Sequence, residues 1–354
     1  MPMNLIVLLT LFPGTGLQPA VGSSEKETSA KPPSSLERFT FQEKQMGVDF
    51  TITVYAPTKA IANRATSAAF QRIKKLNGVL SDYDLNSELS LLGKISGPRK
   101  PVKISPDMLF VLSRSLALSK KTNGAFDITL GHLTRHWRRA RRRKQLPKPD
   151  VLADALYRSG YQHVRLNVRN STVELLKTGM RLDVGGIAKG YAADEAMKVL
   201  RRFGITRALV DGSGDICIGD PPPGKRGWKI GLASLKKPNG SPTQFLLLRN
   251  TAVATSGDAF QFVQIGGRRY SHIIDPKTGL GLPGRASVTV IAPNGTVADS
   301  LASAVSVLGV KRGLALIKSI KGAEVLVLRI ENGKNLEASS AGFRCFIMPA
   351  GKKD

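Results

Sequence analysis

Phe39 to Tyr55 alternates apolar and polar residues and ends at Pro57, which is strand periodicity, and Ala60 to Leu76 then carries apolar residues at helical spacing. The helical spacing returns over Asp107–Lys120. It runs again from Leu133 through Thr134–Lys144 until Pro147 and Pro149 interrupt it, and once more over Val151–Arg158. Strand patterns follow at Val164–Asn167, Thr172–Leu176 and Arg181–Val184, and a helix is predicted over Ala188–Phe203. Further strands are expected at Arg207–Asp211, Trp228–Leu232, Phe245–Leu248, Ala252–Ser256, Tyr270–Ile274, Ser287–Ile291, Glu324–Arg329 and Arg344–Ile347. Two helices, Asp299–Val307 and one near Lys311–Ile320, fall before the last two of these. Helices and strands are intermixed without the strict alternation of a doubly wound parallel sheet, and no solenoid repeat is present, so the pattern predicts an α+β fold.

The N-terminal residues read differently. Leu5–Phe12 is an apolar run too short to span a bilayer, followed by Pro13, Gly14 and small residues around Pro19-Ala20-Val21-Gly22. This predicts a cleaved signal peptide over residues 1–22, although Met1-Pro2-Met3-Asn4 supplies no basic side chain. Ser, Lys, Glu and Pro dominate Ser23–Ser35, so residues 23–38 are expected to be a flexible linker and 39–350 the folded domain. Export would make the protein periplasmic or associated with the outer side of the inner membrane. No cysteine precedes Cys217, so a lipoprotein is not expected.

Hydrophobic residues make up 42% of the 354 and charged residues 22%, which excludes a multi-span membrane protein and a wholly disordered chain. The formal net charge of +27 favours anionic partners. Two cysteines, Cys217 and Cys345, exclude a disulfide scaffold, and their spacing is not that of a thiolate metal site. The histidines His132, His136 and His163 form no metal-ligand set with spacing suited to zinc.

Three segments carry candidate chemistry. In Leu182-Asp183-Val184-Gly185-Gly186-Ile187-Ala188-Lys189-Gly190-Tyr191 an expected strand ends in two glycines and a helix follows at once, so free N–H groups and a positive helix end face one spot suited to phosphate. Lys189 can add a point charge and Asp183 can accept hydrogen bonds from a ring or ribose; a tight turn with a surface lysine is the bland alternative. In Val297–Ala304, Asp299 and Ser303 lie four residues apart on one helical face, which suits Mg²⁺, but Asp299 at an expected helix start also reads as an ordinary N-cap. His272, near a strand end before the Asp275-Pro276-Lys277-Thr278-Gly279 turn, can act as an acid or base, or be structural. The loop Gly124–Gly131 with Asp127 and the acidic turn Leu80–Asp84, which exposes Tyr83, complete the set.

Taken together these strings resemble the ApbE family, the FAD:protein FMN transferases. The resemblance runs from Phe39 to about Met348. It passes through Met46-Gly47, Ser81-Asp82-Tyr83-Asp84, Gly124–Thr129, Leu182–Tyr191, Asp211-Gly212-Ser213-Gly214-Asp215, Thr255-Ser256-Gly257, Ser271–Pro276 and Ala298-Asp299. It implies a single large catalytic domain of mixed sheets and packed helices, T-fold-like. It further implies transfer of the FMN half of FAD to a Ser or Thr hydroxyl of an acceptor protein, with release of AMP. Met46, Tyr83, Ala125, Phe126, Asp127, Asp183, Lys189 and Ile274 would line the FAD site, and the Gly186 carbonyl, Asp299 and Ser303 would hold Mg²⁺. Ser303 departs from the Thr common at its position and keeps the hydroxyl; Asp258-Ala259-Phe260 lacks an aromatic-acidic pair often found there. His272 is the expected proton acceptor, with Lys189 and Asp299 assisting.

The run Arg135–Lys144 lacks a nucleic-acid recognition motif and interleaves only Trp137, so it reads as a solvated helix face and no specific nucleic acid is expected. Weak contact with an anionic membrane surface or an acidic acceptor stays open. Two rival functions also remain: an FAD diphosphatase that gives FMN and AMP, and a flavin-binding protein without catalysis.

Overall fold

Met46 and Gly47 both take positive φ, 51° and 79°, and turn the alternating segment back on itself. The single strand expected over Phe39–Tyr55 is therefore a hairpin, β1 (Glu37–Gln45) and β2 (Val48–Ala56). The structure, a computed structural model, describes residues 35–349 except 236–239, 243, 258–260 and 332–333. The expected signal peptide, most of the expected linker and Asp258-Ala259-Phe260 lie outside the described residues.

After the hairpin come α1 (Lys59–Leu80), α2 (Glu88–Ile95), β3 (Val102–Lys103), α3 (Pro106–Lys121), α4 (Gly131–Arg143) and α5 (Pro149–Tyr157). Next are β4 (Val164–Asn167), β5 (Thr172–Leu175), α6 (Ala188–Arg202), β6 (Ala208–Asp211), β7 (Asp215–Ile218), β8 (Trp228–Leu232) and β9 (Gln244–Leu248). The chain continues with β10 (Thr251–Gly257), β11 (Phe262–Ile265), β12 (Arg268–Ile274), β13 (Gly281–Pro283), β14 (Arg285–Ala292), α7 (Gly295–Lys318), β15 (Glu324–Glu331) and β16 (Lys334–Ser339).

Three expectations are corrected. Arg181–Val184 is extended but forms no strand; it runs beside the Gly124–Gly131 loop through Gly131 N–H to the Arg181 carbonyl (3.1 Å) and Asp183 N–H to the Ile128 carbonyl (2.8 Å). Arg344–Ile347 is largely a 3-10 turn over Phe343–Phe346 that covers the sheet instead of joining it. The first of the two late helices starts at Gly295 instead of Asp299; the two follow one another within α7 and part at Gly309, whose φ of 73° and ψ of −177° are not helical, as the two expected spans require.

The central sheet has eight strands in the order β1-β2-β6-β7-β10-β14-β15-β16, and each neighbouring pair is antiparallel. Its strands alternate between two apolar faces, as a period of two requires. Val210, Cys217, Ala254, Val290 and Val325 face the α1, α6 and α7 helices. Leu209, Ile216, Ile218, Val253, Ile291 and Leu326 face the β8–β9 hairpin and Phe343. Helices gathered on one face of an antiparallel sheet make the fold α+β, as expected.

Helix approach is set by small residues. α1 buries Ala62, Ala65 and Ala69 and α6 buries Ala192, Ala193 and Ala196, so the two pack closely. A charged network ties α1 and α6 to the start of α3: Arg72 of α1 donates to Asp107 of α3 (2.8 and 2.5 Å) and to Glu195 of α6 (3.0 and 2.6 Å), and the Tyr191 hydroxyl donates to Asp107 (2.7 Å). A smaller core, Leu133, Trp137, Ala155, Tyr270 and Ile274, seats α4 on β12.

Candidate active site

Several turns converge at one end of the central sheet because of strand register. Thr51 pairs with Asp211, Ala254 with Asp215 and Gly257 with Ser287, so the Met46-Gly47 turn, the Asp211–Asp215 turn and the Thr255–Gly257 strand end share that edge. The N-terminal end of α6 and the second turn of α7 come together beside them.

The contact between those helices is close. A Cβ on Gly190 would sit 2.1 Å from the Gly295 carbonyl oxygen and 2.8 Å from Asp299 Cβ, so a glycine is needed there. Gly190 N–H donates to Asp299 Oδ2 at 3.0 Å. One turn earlier, a Cβ on Gly186 would lie 2.9 Å from Ser303 Oγ and 3.3 Å from the Phe126 ring. The α7 N-cap is Asn294, whose side chain accepts from Val297 N–H at 3.0 Å, and Asp194 also accepts from Gly295 N–H, Thr296 N–H and the Thr296 hydroxyl. Asp299 is therefore no cap. Its carboxylate, 3% exposed, is directed to the start of α6.

Charge is concentrated here. Lys189 pairs with Asp215, which is buried at the start of β7. Burial works against the Lys189 charge, but Asp215 and Asp299 outweigh it and hold the ammonium above its ordinary range. Burial and then the Asp215 charge push the Asp299 carboxyl up to about 7, and burial pushes Asp211 up to about 6 although Gly214 N–H donates to it. A buried carboxyl raised in this way, a neighbouring hydroxyl and a carbonyl with no side chain over it form a small hard-oxygen donor set, which fits Mg²⁺. Among the described residues no group of three or more His, Cys, Asp or Glu side chains could hold a metal.

A second cluster adjoins the first through Asp183, whose Oδ1 accepts from Gly185 N–H at 2.8 Å. Its other oxygen lies 3.5 Å from Arg138, which also pairs with Asp82 and places its guanidinium carbon 3.9 Å from the centre of the Tyr83 ring. Tyr83 is 73% exposed. Ala125 and Phe126 lie on the Gly124–Gly131 loop, and the buried Phe126 ring packs at Gly186. Asp127 on that loop is spent internally: it accepts from Thr129 N–H, the Thr129 hydroxyl and Tyr161 N–H, and burial raises its carboxyl. Ile274 is buried against the α4 core, and Met46 is half-buried at the hairpin tip.

His272 sits on β12. Its Nδ1 faces the Gln261 carbonyl at 3.3 Å, an atom that can only accept, so Nδ1 carries the proton and Nε2, which has no hydrogen bond among the described residues, is the acceptor. Burial first, then the Arg141 charge, pull the imidazole down to about 4, so it is neutral near pH 7.

Sequence reasoning missed Asp215, Asp194 and Arg138. Asp215 stands inside the quoted Asp211–Asp215 string, and Arg138 inside the basic run. Leu133, Trp137 and Ala140 mark the buried stripe of α4, and Arg138 and Arg141 flank it, so a helical projection would have set them apart from the exposed Arg135, Arg139 and Arg142.

The ApbE family model matches residues 46–327, which includes every residue of the site described above. The chain belongs to the ApbE family. Among its relatives, a Treponema pallidum protein named FAD:protein FMN transferase is 31% identical over 310 residues, 83% of this chain and 85% of the relative. One of the same name from Haemophilus influenzae is 29% identical over 76% of this chain and 80% of its own. The ApbE fold is shared with the Vibrio cholerae flavin transferase (TM-score 0.78, 26% identity) and the Thermotoga maritima ApbE protein (TM-score 0.77, 29% identity). Each comparison covers 88% of this chain and 99% of the other.

Proposed function

We propose that this ApbE-family chain is an FAD:protein FMN transferase that moves the FMN half of FAD to a Ser or Thr hydroxyl of an acceptor protein and releases AMP, with Mg²⁺ as cofactor. The observation that carries this reading is the meeting of Gly186 and Gly190 with Ser303 and Asp299, which places a carboxylate, a hydroxyl and a helix N-terminus around one spot. The Gly186 carbonyl, Asp299 and Ser303 would hold Mg²⁺, and bound there it would supply positive charge for the diphosphate.

The remaining steps belong to the chain. The positive end of α6 attracts phosphoryl oxygens, although Gly185 N–H is held by Asp183, Ala188 N–H by the Val184 carbonyl and Gly190 N–H by Asp299. Lys189, held charged by Asp215, stabilises charge that builds as the bond to AMP breaks. Tyr83 offers a flat ring on which a heterocycle can stack. His272 Nε2 takes the proton from the acceptor hydroxyl as its oxygen attacks the FMN phosphorus, the new phosphoester bond forms and AMP departs. Export through the expected signal peptide would place this reaction outside the cytoplasm.

The test is incubation with FAD, Mg²⁺ and a candidate acceptor, following AMP release and protein-bound flavin fluorescence in a denaturing gel. AMP together with labelled acceptor is the expected result. AMP with free FMN would make the chain a diphosphatase, and neither product would make it a flavin-binding protein.

A further inference from the structure

The basic run of α4 does not all face solvent. Arg138 is half-buried, and three groups converge on its guanidinium: Asp82 from the acidic turn, Asp183 from the segment leading into the double-glycine turn, and the face of the Tyr83 ring. The two carboxylates repel one another. Burial and the Asp183 charge raise Asp82 even with Arg138 beside it. Without a cation between them, the acidic turn and the Asp183 segment would be driven apart. Arg181 ties the same turn from below by donating to the Asp82 carbonyl at 2.9 Å.

The helix cannot turn to release this contact. The residue before Arg138 is Trp137, which is 1% exposed and donates from Nε1 to the Ser271 carbonyl at 2.9 Å. α4 is thereby fixed in rotation against β12, and Arg138 is delivered to one place. Tyr83, largely exposed, carries the guanidinium on one face and leaves the opposite face open.

We propose that Arg138 is a positioning residue for the substrate: it holds the Tyr83 ring as a fixed platform for a flat heterocycle of FAD and, by the same fork, keeps Asp183 in register with that platform. A planar guanidinium stacks on a ring and reaches two carboxylates at once, which an ammonium cannot do. The inference rests on the FAD reading above and adds to it a residue outside the double-glycine turn and the α7 site.

The experiment is fluorescence titration of FAD into wild type, Arg138→Ala, Arg138→Lys, Tyr83→Leu and the double variant, with riboflavin and ADP titrated in parallel. Arg138→Ala is expected to weaken FAD binding about tenfold, and Arg138→Lys to restore less than half of the loss. In the Tyr83→Leu background the same change should cost less than about twofold, because the ring through which it acts is gone. The loss should appear with either riboflavin or ADP, according to which heterocycle lies on Tyr83. Should Arg138→Ala not fold, as judged by loss of the near-ultraviolet circular dichroism of its aromatic side chains, Arg138→Gln carries the same comparison. Unchanged FAD affinity, full loss in both backgrounds, or equal weakening of riboflavin and ADP would overturn the proposal. Failure of wild type itself to bind FAD would instead remove the transferase reading, and this inference with it.

Discussion

Gly190 N–H on α6 donates to Asp299 Oδ2 on α7 at 3.0 Å, a bond between residues 109 apart in the chain. It fixes which turn of α7 faces the start of α6, and so brings Ser303, one turn further on, to Gly186.

A side chain at Gly190 therefore cannot be accommodated by local adjustment. The Gly295 carbonyl would lie 2.1 Å from a new Cβ, and backbone must move. Gly190→Ala is expected to lower stability by about 1 to 3 kcal/mol and to separate Asp299 from the α6 start. A lower urea midpoint, together with AMP release that no longer responds to Mg²⁺, is the expected pair of results. A normal midpoint with normal Mg²⁺ response would show that the helices tolerate a wider spacing.

Asp299 should give the metal-free protein a particular pH dependence. Its folded value of about 7 is above the ordinary carboxylate value of 3.8, so the folded state retains a proton that the unfolded chain has lost. Stability from this group is complete below about pH 4 and is lost as pH rises toward 7 and beyond. Asp299→Asn keeps an oxygen for Gly190 N–H and has no such proton. In metal-free buffer its urea midpoint should gain on wild type as pH rises from about 5 to about 8. A constant difference between the two across that range would place the cost of burying Asp299 elsewhere.

The fold was readable where one periodicity prevailed, and less so where tertiary contacts decided. Between Trp228 and Ile291, β8, β9, β10, β12 and β14 were visible as apolar runs bounded by turn residues, whereas β11 and β13, four and three residues long, were not. Asp215–Ile218 was not either, because all four residues of β7, the charged Asp215 included, are buried and a short, wholly buried strand shows no alternation. Arg181–Val184 has strand composition, but its partner is a loop. At the site, spacing put Asp299 and Ser303 on one face, yet the choice between cap and ligand depended on Asn294, which takes the cap. Arg138 escaped notice because a basic run conceals which of its members turn inward.

The Arg72 network predicts an effect on stability without chemistry. Arg72 holds Asp107 below the ordinary carboxylate range, with the Tyr191 hydroxyl helping, and it sits between two acids that face each other once it is gone. Arg72→Met should cost about 2 kcal/mol at neutral pH. The sign for Asp107 is opposite to that for Asp299: a depressed value contributes stability above the ordinary 3.8 and loses it as pH falls below. The deficit of the variant, followed by thermal unfolding, should therefore narrow in acid. FAD binding should change little, since none of Arg72, Asp107 and Glu195 is among the residues expected to line the FAD site.

His272 offers the sharpest separation of chemistry from binding. With Nδ1–H donated to Gln261, Nε2 is a neutral acceptor, and burial with Arg141 nearby keeps it so down to about pH 4 in the free protein. If it takes the hydroxyl proton, kcat/KM should hold steady well below the usual imidazole value of 6.5, because that ratio reports the free enzyme. A bound diphosphate brings negative charge close to the ring and raises its proton affinity, so the acid limb of kcat should lie at higher pH than that of kcat/KM. His272→Ala should reduce single-turnover flavin transfer by about 100-fold or more with Mg²⁺ saturating, leave FAD affinity within about twofold, and abolish both limbs. A near-normal rate in that variant would take His272 out of the proton transfer. The acceptor hydroxyl would then lose its proton to solvent or to a substrate oxygen, and the limb separation seen in wild type would need another titrating group, for which the buried Asp211, raised to about 6, is the nearest alternative by value.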